Sequence, residues 1–205
     1  MNASSPSVTV APVDQVDRVA DQLRSRNIEA VVVDTAAEAR AEVLDRIPDG
    51  AEVHWGKSRT LEDLGLIEEL TSGRYDALRP RMLAMDRTTQ GREIRKLVTA
   101  PDVELGSVAA VTVDGALVAA SATGSQLAAY AAGGGKLILV VGSQKIVANV
   151  DEALRRIDET VFPYENDRVK EQLGVETRLE KVLILYGEWN PGRTTVILVR
   201  EPVGV

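Results

Sequence analysis

The chain has 205 residues, 44% hydrophobic and only 3% aromatic, enough for one sizeable core built mainly from Val, Leu, Ile and Ala. Its formal net charge of −7 removes the broad positive field that phosphate-backbone binding needs, so no nucleic-acid partner is expected. It has no cysteine and one histidine, which excludes disulfides, thiol nucleophiles and cysteine-ligated clusters. It also leaves no self-contained His-based metal site, so neither metal nor cofactor is assigned.

Residues 1–12, rich in Ser, Ala and Pro, read as a flexible tail ahead of one α/β domain over 13–205. The first residues show neither a basic n-region nor an apolar h-region. No apolar run approaches the ~18 residues of a membrane span; the longest, 137–142, is strand-sized. A cytoplasmic chain without a membrane partner is the expectation.

Val13, Val16, Val19, Ala20 and Leu23 recur at helical spacing, predicting a first helix. A strand follows at 28–33, and Asp34 or Thr35 caps a second helix reaching Ile47. After the turn Pro48-Asp49-Gly50, a short strand at 51–55 runs into Gly56-Lys57-Ser58-Arg59-Thr60. Thr60-x-x-Asp63 resembles a capping box for the next helix. Residues 75–78 suggest a short strand, Pro80 a break in any helix, and 88–100 a further helix.

In the second half, 103–113 reads as strand broken near Gly106-Ser107, and Asp114-Gly115 between two apolar runs signals a hairpin. The loop 121–125 leads to the Ala-rich segment 126–132, and Gly133-Gly134-Gly135 turns the chain into a strand at 136–141. Helices are expected at 150–159 and 164–173, separated by Phe162-Pro163. Strands at 182–186 and 195–199 are expected to close around the turn Asn190-Pro191-Gly192. Helices alternating with buried strands give a mixed, mainly parallel sheet flanked by helices.

The best site candidate is Gly56-Lys57-Ser58-Arg59-Thr60. A loop from a strand end to a helix start offers free N–H groups to an anion. Gly56 allows close approach, Lys57 adds charge, and Ser58 and Thr60 add hydroxyls. The competing reading is an ordinary capped helix beside a solvated lysine. The loop is close to the nucleophile elbow G-x-S-x-G, but Thr60 stands at the second glycine and the only histidine, His54, lies upstream, so a Ser–His hydrolase is disfavoured. His54 reads as a strand residue rather than a base.

Gly133-Gly134-Gly135-Lys136 fails as a phosphate loop, because Tyr130 and Leu137 replace required residues and a strand, not a helix, follows. Thr123 and Gly124 lie in a second small-residue loop that could take an anion or simply cap a helix. Lys145 follows a buried strand, where α/β proteins place ligands, although a solvated loop lysine is the equal alternative. The acidic pairs Glu62/Asp63, Glu68/Glu69 and Asp151/Glu152 read as surface charge.

In order, these pieces resemble the LUD-domain family, which includes the LutC-type lactate utilisation proteins. The strand-to-loop run from Val53 to Thr60, followed by Leu61-Glu62-Asp63-Leu64-Gly65-Leu66, matches its opening pattern. Ala110-Val111-Thr112-Val113-Asp114-Gly115-Ala116-Leu117-Val118 matches the second. Ala122-Thr123-Gly124-Ser125-Gln126 stands where the family has a Gly-Thr-Gly-Asn-Arg-type loop. Lys136-Leu137-Ile138-Leu139-Val140-Val141-Gly142-Ser143-Gln144-Lys145-Ile146-Val147 matches the fourth. Gln126 replaces the arginine, removing a bidentate anion donor.

The resemblance implies a NagB/RpiA/CoA-transferase-like fold, whose members bind small anionic molecules, but a fold does not transmit a reaction. The implied role is binding of a small anionic metabolite in lactate or related 2-hydroxy-acid utilisation, with any redox group on a partner subunit. A non-catalytic assembly or regulatory subunit, and an isomerase or transferase acting on a sugar phosphate or acyl-CoA, stay open. So does a homo-oligomer packed through 126–132. An enzyme predicts a carboxylate or His54 aimed into a closed pocket at 56–60, a binding module the pocket without the base, and a subunit an exposed apolar patch.

Overall fold

A computed structural model describes residues 10–205; the expected tail at 1–12 therefore lies largely outside the described residues. The strands are β1 (Glu29–Val33), β2 (Glu52–Trp55), β3 (Asp76–Ala77), β4 (Val103–Gly106), β5 (Ala110–Thr112), β6 (Leu117–Ser121), β7 (Lys136–Gly142), β8 (Ile146–Val147), β9 (Lys181–Leu185) and β10 (Thr194–Val199). The helices are α1 (Val13–Ser25), α2 (Ala36–Asp45), α3 (Arg59–Asp63), α4 (Leu66–Leu70), α5 (Leu78–Leu83), α6 (Gly91–Thr99), α7 (Val150–Arg156) and α8 (Phe162–Leu173).

Six strands form one wholly parallel sheet in the order β1-β10-β7-β4-β2-β3. Its central strands β7 and β10 are buried on both faces, as their unbroken Val, Ile and Leu runs require. On one face Val53, Trp55, Leu105, Val140 and Ile197 pack with Ala39 and Val43 of α2 and Leu61, Leu66 and Leu70 of α3 and α4. On the other, Leu137, Leu139, Val196 and Leu198 pack with α1 and with Val111, Leu117 and Ala119 of a second sheet. That sheet has the order β8-β5-β6-β9 and mixes antiparallel with parallel pairing. Its far side meets Ala153 and Ile157.

Local signals explain many element ends. Thr35 caps α2 with a reciprocal box: Glu38 N–H donates to Thr35 Oγ1 (3.2 Å) and Thr35 N–H to the Glu38 carboxylate (3.1 Å). Asn149 Oδ1 accepts from Glu152 N–H at 3.0 Å and starts α7. The Asp114-Gly115 turn joins β5 to β6 as an antiparallel pair, with Gly115 at φ +89°.

Three expectations change. The strands at 182–186 and 195–199 do not pair: β9 joins β6, whereas β10 enters the parallel sheet between β1 and β7. Each finds a longer-range partner whose apolar face matches its own. Pro80 lies inside α5, in its first turn, where a missing N–H costs nothing. Pro163 likewise sits at the start of α8, and a π-helical turn over Ile157–Val161 carries the chain into it from α7 without a break. The Ala-rich 126–132 stretch is helical from Leu127 and ends in a π-helical turn, Ala129–Gly133.

Candidate functional site

All six strands of the large sheet run the same way, so their carboxyl ends share one edge. There β2 delivers Gly56-Lys57-Ser58, β4 delivers Ser107, β7 delivers Ser143-Gln144-Lys145, and β3 leads directly into Leu78-Arg79. Such an edge is where open α/β sheets hold ligands. A cleft of about 380 Å³ opens here, lined by Trp55, Gly56, Lys57, Ser58, Glu62 and Arg79 among others.

The cap of the helix after this loop is Ser58, not Thr60: Ser58 Oγ accepts from Leu61 N–H at 3.4 Å. With α3 only five residues long, little helix dipole develops, and attraction for an anion must come from side chains. Two cations, Lys57 and Arg79, line the cleft beside the carboxylates of Glu62 and Glu68, and the charge of a third, Arg168, reaches both. Lys57 Nζ donates to the neutral Gln172 amide (2.6 Å), and Arg79 donates to the Trp55 carbonyl (3.1 Å). Neither has a carboxylate partner among the described residues. Arg168, buried on α8, bonds both oxygens of Glu62 (3.1 and 3.3 Å) and also Glu165, while its Nε has no partner. Burial first, and the Arg168 charge second, pull the Lys57 amine and the Arg79 guanidinium below their ordinary values. A negative ligand would relieve that repulsion.

Thr60 points away from solvent and meets Lys145. Lys145 as a whole is 2% exposed, and its amine donates to Thr60 Oγ1 at 2.8 Å and Ser107 Oγ at 2.9 Å. It is therefore no solvated loop lysine. Burial, then the Arg156 charge, lowers its pKa to about 7. The backbone of Gly204 lies over this group, fixed by its N–H to Asp63 Oδ2 (3.0 Å) and by Gln144 Nε2 on the carbonyls of Val203 and Gly204.

The second loop also reaches this edge. The Gln126 side chain packs at Gly56, where an added Cβ would stand 3.5 Å from Gln126 Cδ. Gln126 Oε1 accepts from Ser121 (3.1 Å) and Ser125 (3.3 Å), and Gly124, at φ +80°, is closed in by Lys181. Thr123 is exposed and its Oγ1 accepts the Ser125 N–H. The structure thus brings Gly56, Lys57 and Ser58 to one cleft and buries Thr60 against Lys145, whereas Thr123 and Gly124 stand on a separate loop whose Gln126 side chain packs at Gly56.

His54 faces the other side of the sheet. Its Nδ1 lies 2.7 Å from Glu104 Oε2, the register partner on β4, and both side chains are buried, with His54 Nε2 and Glu104 Oε1 unpartnered. Burial pushes the Glu104 carboxyl up to about 7 against the opposing effect of His54. Tyr130, whose hydroxyl donates to the Ser107 carbonyl at 3.2 Å, is pushed up by burial and by Glu104. Among the described residues no three His, Cys, Asp or Glu side chains group to hold a metal ion, and no helix is long and apolar enough to cross a membrane.

Sequence reasoning passed over Ser107, Arg79, Glu104 and Arg168. Ser107 was open to the same strand-end argument as Lys145, since it follows the break at Gly106. Arg168 carries no local signal, because its role depends on α8 folding across α3.

The sequence model described as the LUD domain matches residues 16–199. No curated protein matches. Among solved structures, a DUF162 family protein from Deinococcus radiodurans shares the fold at 15% identity and a TM-score of 0.59, over 93% of this chain and 99% of that one. The eIF2B delta subunit from Chaetomium thermophilum reaches 18% identity and a TM-score of 0.33, over 69% and 56% of the two chains.

Proposed function

Because the chain belongs to the LUD-domain family, we propose that it binds a small anionic metabolite at the carboxyl edge of its parallel sheet, in the utilisation of lactate or a related 2-hydroxy acid. The carrying observation is that Lys57 and Arg79 both line the Gly56 cleft without a carboxylate partner among the described residues, with the charge of Arg168 acting on both. In this reading the chain is a LutC-type protein with a NagB/RpiA/CoA-transferase-like fold, acting as one domain over 13–205. Gly56, Lys57 and Ser58 contact the ligand, Thr60 and Lys145 stand behind it, and Thr123 and Gly124 form the rim. With no cysteine in the chain, a cysteine-ligated cluster accepting electrons would sit on a partner subunit. One observation favours chemistry on the chain itself, as in an isomerase or transferase: the buried, weakly basic amine of Lys145.

The test is a thermal-shift screen with lactate, sugar phosphates, acyl-CoA and nucleotides, run on the parent and on Lys57→Ala/Ser58→Ala. Stabilisation should follow ligand concentration by mass action and shrink in the double variant. A ligand that stabilises both proteins equally removes the cleft from the proposal, and silence from every ligand class removes anion binding.

A further inference from the structure

The geometry points to Lys145 as a nucleophilic amine that forms an imine with a small 2-oxo acid. The inference adds to the proposed anion site the Lys145 amine on the same carboxyl edge of the sheet and names its substrate class, and it rests on that reading.

The hydrogen-bond count carries it. A neutral amine has two N–H groups and one lone pair, whereas an ammonium has three N–H groups. Lys145 finds two acceptors among the described residues, the hydroxyls of Thr60 and Ser107, and no carboxylate. The nearby Asp63 is engaged elsewhere, by Arg59 and the Gly204 N–H. An ammonium would leave a buried donor unpaired at a cost of roughly 1–3 kcal/mol or more. The neutral amine satisfies both donors and keeps its lone pair. Desolvation working against the charged form acts in the same sense.

The neighbouring charge selects the substrate. Arg156 is tied to the chain at Ala109, two residues beyond the Ser107 that accepts from Lys145, and its charge acts against the protonated amine. Its Nη1 donates to the Ala109 carbonyl at 2.7 Å, and it has no carboxylate partner among the described residues. A carboxylate next to a carbonyl carbon would meet Arg156 while the carbonyl meets Nζ. In the reaction the Nζ lone pair attacks that carbon and a C–N bond forms. The carbonyl oxygen leaves as one water with the two protons given up by the nitrogen, and no oxidation state changes. Thr60 and Ser107 are placed to pass those protons. Gly204 covers the amine with backbone alone, so a shift of this segment opens the way in.

The test uses the full chain, pyruvate and sodium cyanoborohydride, with intact-mass and peptide mapping. The expected result is one adduct on Lys145, heavier by pyruvic acid less one oxygen atom, and its loss in Lys145→Met. Acetone, which lacks the carboxylate, should label Lys145 more slowly. Adducts confined to exposed lysines overturn the inference, and acetone labelling as fast as pyruvate overturns the role of Arg156. Thermal shift with pyruvate alone separates the two readings. Stabilisation without a Lys145 adduct sinks the imine and leaves the anion site, whereas neither effect sinks both for this acid. Should Lys145→Met fail to fold, the mapped position of the parent's adduct still decides.

Discussion

His54 and Glu104 are register partners on β2 and β4, and their side chains meet at 2.7 Å with 1% and 0% of their surface exposed. Neither atom left over, His54 Nε2 nor Glu104 Oε1, has a partner. A carboxyl kept dry inside a parallel sheet makes stability depend on pH. The Glu104 carboxyl, raised to about 7, holds its proton in the folded chain where the unfolded chain, with a value of about 4.3, has released it. The associated stability is full below the unfolded value and is lost as pH rises through the folded one. The urea midpoint of the parent should therefore fall between about pH 5 and 8 relative to Glu104→Gln, by on the order of 2 kcal/mol in stability. Parallel pH curves for the two proteins would show Glu104 already ionised in the fold.

Gly106 ends β4 directly beneath Tyr130. An added Cβ would overlap the Tyr130 hydroxyl and stand 2.8 Å from its Cζ, and the ring is buried and cannot swing out. Gly106→Ala should cost about 1–3 kcal/mol. Adding Tyr130→Phe removes the hydroxyl that collides, so the pair should cost less than the sum of the single changes. Chemical denaturation of the four proteins measures the coupling; strict additivity would mean that the two residues do not meet.

Gly204 has φ +74°, and an added Cβ would run into Thr60 Oγ1 and come 3.0 Å from the Lys145 amine. Gly204→Ala should displace this segment and expose Lys145. Mass-spectrometric mapping after brief treatment with an amine-acylating reagent should show faster modification of Lys145 than in the parent. In the parent, where burial holds the amine's pKa at about 7, the slower labelling should rise with pH through that value. Unchanged labelling in Gly204→Ala would mean that Gly204 is not the cover.

The chain's two tryptophans report on opposite environments, Trp189 being 90% exposed and Trp55 3% exposed at the wall of the cleft. Iodide should quench Trp189 almost alone, and Trp189→Phe should leave a shielded signal from Trp55. In that variant, fluorescence titration with an anionic ligand should move the Trp55 emission. A ligand that stabilises the protein without touching that emission binds elsewhere.

Much of the secondary structure was legible locally, because its causes are local. The period-3.6 apolar positions of α1, the Thr35-x-x-Glu38 box, the Asp114-Gly115 turn and the apolar runs of β7 and β10 each act within a few residues. The loop at Gly56-Lys57-Ser58 was likewise visible as a strand end running into a helix start. What the loop faces was not. Lys57 and Arg168 lie 111 residues apart in sequence, Lys145 and Thr60 85 apart, and His54 and Glu104 50 apart. These meetings depend on strand order and on which face each strand buries, and a chain read locally contains neither. The same physics separates β9 from β10: their turn signal was real, but each strand is better buried beside a distant partner. The sequence by itself determined the elements and the family. Tertiary structure alone turned a loop lysine into a desolvated amine, because only packing removes the water that would keep it charged.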